Sequence, residues 1–438
     1  MNYIFIEKST NYGGVEILTA DLIKYMIESG SKVFFITQLV DHNRKNIYSD
    51  LLKDISDGLN IINVPHLERV MMYEDDRYQE DKKIIKEYIS EKEDYCLITY
   101  YFRTMQYGIR VLEGYSKIRI LYLWPHPLQF ILAIPTFPKA AYAFKRKKNK
   151  MYYYQKKLFE LMHKSNASFY SSRSIFDYNN WFYETNLEQK KRIECDPVRT
   201  IKPRKQYHYD INSKKISVLW VGRFDFFKND AIAYIYKNLN EFASKYPGIM
   251  FELNIVGGGN ETFTNDLKSK LNPGTVEINY LGLKKPDELP DIYVSNDIGI
   301  AMGLTVKQMA MCGLPAILID SLNDNYKTEK YCTWIYETSE GDAGDGAYYY
   351  SMGKPLTNRN KLSDILSSVI KEPASLNQLS MKCTEFVKKY YSLNTQNQKI
   401  IEAAEQSQLC VSEIKPFIYS LPVRRLYSLY IKYRDRRL

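Results

Sequence analysis

The residues best suited to chemistry in this sequence are Arg223 and Lys228, which stand five positions apart after an apolar stretch at 217–221 and Gly222. Arginine can hold a phosphate through two parallel hydrogen bonds, and lysine adds a mobile point charge; both remain charged at neutral pH. The pair therefore predicts a site for a diphosphate group. Two solvated charges on a strand-to-helix loop give the same pattern, and the pair alone does not separate the two interpretations.

A second feature suited to anions lies at 299–319, which reads GIAMGLTVKQMAMCGLPAILI. An apolar strand leads through Gly303 into a helix predicted to start near Thr305, and Gly313 and Pro315 end that helix. The backbone amides at a helix start lack partners within the helix and attract negative charge. The segment therefore predicts a phosphate site, with an ordinary strand–helix–strand unit as the alternative.

His126 is the histidine with the most suggestive context, because it follows an apolar strand and sits between two prolines in LWPHP at 123–127. The prolines stiffen the loop, and the ends of strands in parallel sheets are where ligand sites form. A functional role is favoured slightly over a structural one. The other histidines lack such a context: His42, His66, His163 and His208.

These residues need a scaffold, and the sequence indicates two α/β halves. Short apolar strands alternate with helical patterns, which is typical of parallel sheets covered on both faces. The first half has predicted strands at 2–6, 33–36, 96–99 and 118–123. After a polar linker near 196–215, the second half has predicted strands at 217–221, 251–256, 276–281, 298–301 and 316–319.

In their order, these motifs resemble those of the retaining GT-B glycosyltransferases of the family-four type. The family's G-R-x-x-x-x-K strand end corresponds to Gly222, Arg223 and Lys228. Its glycine loop, its strand ending in Leu-Gly and its E-A-M-A-C-G-x-P-V-I helix correspond to residues 255–259, 280–282 and 308–317. The G-G-x-E loop of its first domain corresponds to residues 13–16.

The resemblance, which runs from residue 1 to about 408, implies an α/β fold of the GT-B type: two Rossmann-like doubly wound domains facing across a cleft. The acceptor-side domain would span 1–205, with a C-terminal crossover at about 386–408. The donor-binding domain would span 206–385, and 409–438 would form a basic amphipathic tail.

The resemblance also implies the reaction and its residues. A sugar would pass from a nucleotide diphosphate to a hydroxyl with retention of configuration, and UDP- or GDP-sugar would be a substrate rather than a cofactor. Because Arg223 and Lys228 can stabilise the departing diphosphate, neither a metal nor another cofactor is expected. With His126 they form the expected catalytic set. The expected donor-binding set is Gly13, Gly14, Glu16, Gly222, Gly257, Leu283, Leu304, Thr305, Val306 and Gln308.

One departure from the family concerns its two glutamates, eight residues apart around the last helix, which contact the donor sugar and the ribose. Their positions here fall on Ile300 and Gln308, neither of which is acidic. Gln308 could still bond a ribose hydroxyl. Alternatively, residues 305–308 form a capping box in which Gln308 only caps its own helix.

Basic and aromatic residues are concentrated in two segments of a chain whose formal charge is +10. Lys145 to Lys157 carries seven lysines and arginines, and from Val423 onward apolar residues recur at helical spacing among arginines. Such segments favour attachment to an anionic membrane, with a solvated helix face as the alternative. Nucleic-acid binding is not expected, since no nucleic-acid motif accompanies the charge.

The expected location is the cytoplasm, peripherally on the inner face of the cell membrane. No apolar run is long enough to span a bilayer, no secretory signal precedes the first strand, and the six cysteines form no C-x-x-C pair. The expected acceptor is then a lipid-linked saccharide in surface polysaccharide synthesis. Three other functions stay open: a catalytically degenerate GT-B partner subunit, a sugar-nucleotide epimerase, and a lipid- or RNA-binding module without chemistry.

Overall fold

The computed structural model describes residues 1–8, 14–41, 44–45, 47–55, 57–67, 76–128, 148, 150–188, 198, 202–271, 274–320, 330–338, 342, 344, 346–354 and 356–418. They form two compact units. The first comprises Met1–Glu194 and the segment from Asn394 onward, and the second comprises Cys195–Leu393.

Helices and strands alternate along most of the chain. The strands are β1 Asn2–Ile6, β2 Val33–Thr37, β3 Val40–Asp41, β4 Arg44–Lys45, β5 Leu59–Asn63, β6 Tyr95–Thr99, β7 Arg119–Trp124, β8 Ser168–Tyr170, β9 Lys215–Val221, β10 Met250–Val256, β11 Glu277–Gly282, β12 Ile298–Ala301, β13 Ala316–Ile319, β14 Tyr331–Trp334 and β15 Asn360–Lys361. The helices are α1 Gly14–Glu28, α2 Tyr48–Leu51, α3 Tyr78–Lys86, α4 Phe102–Val111, α5 Lys150–Lys164, α6 Arg173–Phe182, α7 Phe226–Lys245, α8 Glu261–Lys270, α9 Leu289–Val294, α10 Leu304–Met311, α11 Gly346–Ser351, α12 Leu362–Lys371, α13 Ser375–Tyr390, α14 Leu393–Gln406 and α15 Val411–Ile418.

The first unit is built on a parallel sheet of six strands in the order β5-β2-β1-β6-β7-β8. Every residue of β2 and of β6 is buried, which explains why these strands read as continuous apolar runs rather than as alternating patterns. β1 pairs with β2 on one side and β6 on the other, so the strand order reverses beside β1.

The second unit is built on a sheet of seven strands in the order β11-β10-β9-β12-β13-β14-β15. β9 to β13 are parallel to one another. β14 pairs antiparallel with β13, and β15 pairs antiparallel with β14. Here the order reverses beside β9, which lies between β10 and β12. The predicted α/β class with two doubly wound units is therefore confirmed.

The chain enters the second unit before the boundary predicted at 205/206. Val198 is fully buried in the core of the second unit, and its backbone N donates a hydrogen bond to the Tyr391 carbonyl O at 2.8 Å. The division between the units lies at 194/195, and the return lies at 393/394 rather than near 386. This hydrogen bond joins the segment where the chain enters the second unit to the segment where it leaves that unit. The sequence shows only a polar stretch near the first boundary.

The described part of the predicted C-terminal tail belongs to the first unit. Ile120 N donates to Leu409 O and Val411 N donates to Ile118 O, each at 2.9 Å, so residues on either side of Cys410 bond the start of β7. α15 then follows at once. The predicted amphipathic helix from Val423 onward lies outside the described residues.

A buried ion-pair network joins the end of β13 to the loop before α11. Arg359 Nε lies 2.9 Å from Asp320 Oδ2, and its terminal nitrogen lies 2.7 Å from Asp342 Oδ2; all three side chains are 4% exposed. Gly346 N donates to Asp320 Oδ1 at 3.2 Å, and Gly344 N donates to Asp342 Oδ1 at 3.1 Å. Burial raises the pKa of Asp320, which the Arg359 guanidinium opposes. Arg359 therefore fixes this loop at the end of β13.

We expect Arg359→Met to lower the free energy of unfolding by about 3–5 kcal/mol, because removing one partner strands two buried carboxyls. Urea denaturation at neutral pH measures the change. The loss should shrink in acid, where Asp320, whose pKa burial raises, takes up a proton. Lys237→Met is the control, since it removes only an exposed pair with Glu241 at 3.7 Å and should cost less than about 1 kcal/mol. Equal losses in the two variants would contradict this account.

Candidate functional site

The carboxyl edge of the second sheet gathers most of the predicted donor-site residues. Because β9 to β12 run parallel, the residues that follow them emerge at one edge: Gly222, Gly257, Leu283 and Gly303. Ligands of doubly wound sheets bind at this edge, in the crevice where the strand order reverses. That point lies between β9 and β12, so Gly222 and Gly303 flank it.

Backbone contacts hold the loops after β9, β10 and β11 together. Gly222 N donates to Val256 O, and Gly257 N donates to Gly282 O, each at 3.0 Å. Gly257 has φ 151°, and a Cβ there would stand 1.9 Å from the Gly222 carbonyl O. Position 257 therefore admits only glycine, and the close approach keeps the strand ends in register for a ligand.

Arg223 and Lys228 follow β9 at this edge, with Arg223 exposed and Lys228 mostly covered. Lys228 Nζ lies 3.1 Å from Asp225 Oδ2, and Lys228 N donates to Asp225 Oδ1 at 3.1 Å, which makes Asp225 the N-cap of α7. Burial lowers the pKa of Lys228, and the Arg223 charge lowers it further, whereas Asp225 opposes the shift. The two cations thus repel each other, and an anion between them would relieve that repulsion.

The N-terminus of α10 lies across the reversal point from this pair. Its N-cap is Gly303, with φ 63° and ψ −135°, and no side chain caps the helix. Leu304 and Thr305 are half-buried in the first turn, Val306 is buried, and Gln308 is half-buried one turn on. The capping-box interpretation is wrong, because Thr305 lies inside the helix rather than at its cap. The first-turn amides are therefore left to a ligand or solvent.

The position of the family's sugar-side glutamate holds no polar group. Ile300 is fully buried in β12, within the core of the second unit. Met302, two residues further on, lies near the loop that Arg359 holds. Its Cβ is 3.3 Å from the position that a Cβ would occupy at Gly344. That loop therefore lies next to Gly303.

Two exposed apolar side chains flank the glycine loop after β10. Leu283 is 79% exposed and lies 3.1 Å from the position of a Gly258 Cβ, and Phe226 is 61% exposed with its ring edge-on to Phe263 at 4.9 Å. The sequence reasoning missed Phe226 and Asp225, although their place between Arg223 and Lys228 was a signal. A flat, apolar ligand group would fit beside such side chains.

The first unit places its predicted site residues at the carboxyl edge of its own sheet. Gly14 opens α1, Glu16 is half-buried in the first turn, and Gly13 lies outside the described residues. His126 is exposed two residues after β7. Glu7, which directly follows β1 and is only 4% exposed, was missed, because a single acid after a strand gives no pattern.

The described basic residues are partly engaged within the first unit. Lys148 Nζ lies 2.6 Å from Glu184 Oε2, and Lys156 Nζ donates to Glu184 O at 3.0 Å. On α5, Tyr153, Lys157 and Lys164 are exposed, and their spacing puts them on one face. Residues 145–147 lie outside the described residues.

Neither a metal cluster nor a membrane span occurs in the described part of the chain. No three His, Cys, Asp or Glu side chains there are placed to hold a metal ion. None of its helices has both the length and the apolar character needed to cross a bilayer.

Comparisons with known proteins find likeness in structure only. No protein-family model and no curated protein matches the sequence.

Among the solved structures that match this chain, three illustrate a likeness that extends over nearly their whole length. Trehalose-6-phosphate synthase OtsA is 10% identical with a TM-score of 0.57, over 93% of this chain and 99% of that one. A glycosyltransferase from Rickettsia africae ESF-5 is 14% identical with a TM-score of 0.53, over 92% and 98%. A mutant of S. aureus TarM, in complex with Fondaparinux, alpha-GlcNAc-glycerol and UDP, is 8% identical with a TM-score of 0.54, over 92% and 100%. The chain therefore has the GT-B fold, as the sequence predicted.

Proposed function

We propose that this protein is a glycosyltransferase that moves a sugar from a UDP- or GDP-sugar to a hydroxyl of a saccharide acceptor. One observation carries the proposal: Arg223 and Lys228 stand at the reversal point of the second sheet, with the uncapped start of α10 on its other side. Two cations and free amides around one crevice suit a diphosphate leaving group.

The donor is proposed to bind along the carboxyl edge of the second unit. The diphosphate would lie between Arg223 and the first turn of α10, and would share Lys228 with Asp225. The base would pack against Leu283 and Phe226, and Gln308 would bond a ribose hydroxyl. UDP in the TarM complex supports a uridine nucleotide.

In the proposed reaction, the bond between the anomeric carbon and the diphosphate oxygen breaks, and the acceptor oxygen bonds to that carbon with retention of configuration. The acceptor hydroxyl gives its proton to the departing diphosphate oxygen. The charge that develops on the diphosphate would be stabilised by Arg223, Lys228 and the α10 amides. These groups do the work that a metal ion does in other transferases, so neither a metal nor a cofactor is part of the proposal.

A second candidate is a catalytically degenerate partner subunit that keeps the fold and binds nucleotide without turnover. It is favoured by a single observation, the absence of an acid at Ile300 and Gln308. Release of UDP or GDP from nucleotide sugars, measured with and without acceptor, separates the two candidates.

The acceptor is proposed to be lipid-linked and presented at the cytoplasmic face of the membrane, in surface polysaccharide synthesis. The exposed face of Tyr153, Lys157 and Lys164 on α5 supports this, because aromatic and cationic side chains suit an anionic membrane surface.

We expect the double variant Arg223→Ala/Lys228→Ala to lose binding of UDP or GDP. Each charge-assisted contact contributes about 1.5–3 kcal/mol, or roughly tenfold to a hundredfold in affinity, so the loss of both should weaken binding by at least about a hundredfold. Isothermal titration calorimetry measures it. The control, Lys237→Ala/Lys245→Ala, removes two exposed lysines from α7 and should bind as the wild type does. Unchanged affinity in the first variant would refute the diphosphate site.

His126→Ala should lower kcat by roughly tenfold or more while the Kd for UDP changes less than about twofold. The reason is that His126 belongs to the first unit and would act on the sugar or acceptor rather than the nucleotide. Steady-state kinetics and calorimetry give the two numbers. His208→Ala, an exposed histidine of the second unit, serves as the control. Equal losses in kcat and binding, or no loss, would count against this role.

We expect the protein to co-sediment with anionic but not neutral vesicles, and less so at high salt. Lys157→Glu/Lys164→Glu should weaken binding at least roughly tenfold, since each well-placed lysine contributes about 1 kcal/mol. Lys83→Glu/Lys86→Glu on α3 makes the same charge change elsewhere and should have a smaller effect. A chain ending before Pro422 tests the tail. If binding does not change with lipid charge, with salt, in Lys157→Glu/Lys164→Glu or on removal of the tail, these segments are only solvated surface.

A further inference from the structure

A buried acid stands at the reversal point of the first sheet. Glu7 follows β1 directly, and β1 lies between β2 and β6, where the order of strands reverses. Its backbone is fixed: Glu7 N donates to Ile36 O at 3.2 Å, and Thr37 Oγ1 donates to Glu7 O at 2.7 Å. Glu7 thus occupies the place in the first unit where a doubly wound sheet binds its ligand.

The Glu7 side chain continues the face of β1 that packs under α1. Side chains alternate along a strand, so Glu7 follows Tyr3 and Phe5, which pack in one core cluster with Ala20 and Ile23 of α1. The next position on this apolar face, after Tyr3 and Phe5, is a carboxylic acid, Glu7. Glu16, in the first turn of α1, lies close enough to act on this carboxyl electrostatically.

One oxygen of the Glu7 carboxyl is buried without a hydrogen-bond partner among the described residues. Only 4% of the residue is exposed, and Oε1 accepts no hydrogen bond from any residue that the structure describes. Nor does Glu7 form an ion pair with a described side chain. A buried polar atom without a partner destabilises the fold, so an acid in this place calls for a ligand that satisfies it.

Among the residues that the structure describes, none that acts electrostatically on the Glu7 carboxyl brings a positive charge. Burial raises the pKa of Glu7 well above its usual range, and the Glu16 carboxylate raises it further. Burial, and after it Glu7, raises the pKa of Tyr48 in α2. Burial, Tyr101 and Glu7 raise the pKa of Tyr122 in β7. Burial and the nearby Glu16 therefore both favour the protonated form of Glu7.

We propose that Glu7, with the backbone amides of the first turn of α1, binds a hydroxyl group of the saccharide acceptor. The inference rests on the proposed glycosyl transfer and deepens it. A protonated carboxyl donates one hydrogen bond and accepts another, as a sugar hydroxyl does, and the amides of α1 offer further donors. Glu7 keeps its proton throughout, so it positions the acceptor and is not its base.

The first test separates a binding role from a structural one through two variants. Glu7→Gln keeps one donor and one acceptor, whereas Glu7→Leu has a similar bulk and neither. Saturation-transfer NMR with p-nitrophenyl glucoside, galactoside and N-acetylglucosaminide measures binding without turnover. The Leu variant should bind the best of these probes roughly tenfold more weakly than the wild type, and the Gln variant within about threefold of it. Equal binding by all three proteins, or binding of no probe by the wild type, would overturn the proposal.

The hydroxyl could instead belong to the donor sugar, and a second arm distinguishes the two sources. Each variant is titrated with UDP and with UDP-glucose. An acceptor contact leaves both affinities unchanged. A selective loss for UDP-glucose would assign the hydroxyl to the donor and overturn the acceptor role. If the wild type binds glycosides but no nucleotide, glycosyl transfer fails while the Glu7 site stands, so the two failures are distinguishable.

The protonation of Glu7 is tested by stability. A carboxyl whose folded pKa is raised contributes stability below its unfolded pKa and loses it as pH rises through the folded value. Glu7→Gln should therefore gain Tm relative to the wild type at about pH 9 but not at about pH 5. Glu252→Gln is the control, because burial of Glu252 is outweighed by its contacts with Lys215 and with Asn254 Nδ2 at 2.6 Å, which lower its pKa. That variant should not gain Tm as the pH rises. If the Tm difference between Glu7→Gln and the wild type is the same at both pH values, Glu7 is ionised at both, and its proposed role as a neutral hydrogen-bond donor is refuted.

Discussion

The pairing of β9 with β10 on one side and β12 on the other is the constraint on which the candidate site depends. Parallel pairing sends the ends of all these strands to one edge, and the change of direction beside β9 leaves a crevice there. The crevice keeps its shape because Gly257 lets two strand ends approach within reach of the Gly222 carbonyl. Arg223 and the start of α10 then flank it without any special loop.

The charged groups at this edge of the sheet are of two kinds: some belong to backbone or buried ion pairs, and others are side chains that can move. The α10 amides and the Arg359 network with Asp320 and Asp342 are rigid parts of the fold. Arg223 is exposed, and Lys228 is held by Asp225, which is itself tied to the start of α7. Such an arrangement binds an anion with little rearrangement of the backbone, because only side chains must move.

The two units offer different chemistry to a ligand. The second presents cations and amides, which suit a phosphate. The first presents a buried acid, Glu7, and an exposed imidazole, His126, which suit hydroxyl groups. This division matches a reaction in which a nucleotide diphosphate leaves and a sugar is passed to a hydroxyl.

The sequence by itself determined the α/β class, the strands β9 to β13 and the Arg–Lys pair, because buried parallel strands read as apolar runs and motifs such as Gly222-Arg223 are local. It did not show β14 and β15, the pairing of Lys228 with Asp225, or the Arg359 network, whose members lie 39 and 17 positions from Arg359. The sequence also left open an N-cap at Thr305, whereas the structure has Gly303 in that place. The position of the cap depends on where β12 ends, which the sequence does not show. Only the tertiary structure decided that Glu7 is buried, because burial is set by α1 and α2 packing over β1, and one acid after a strand carries no periodic signal.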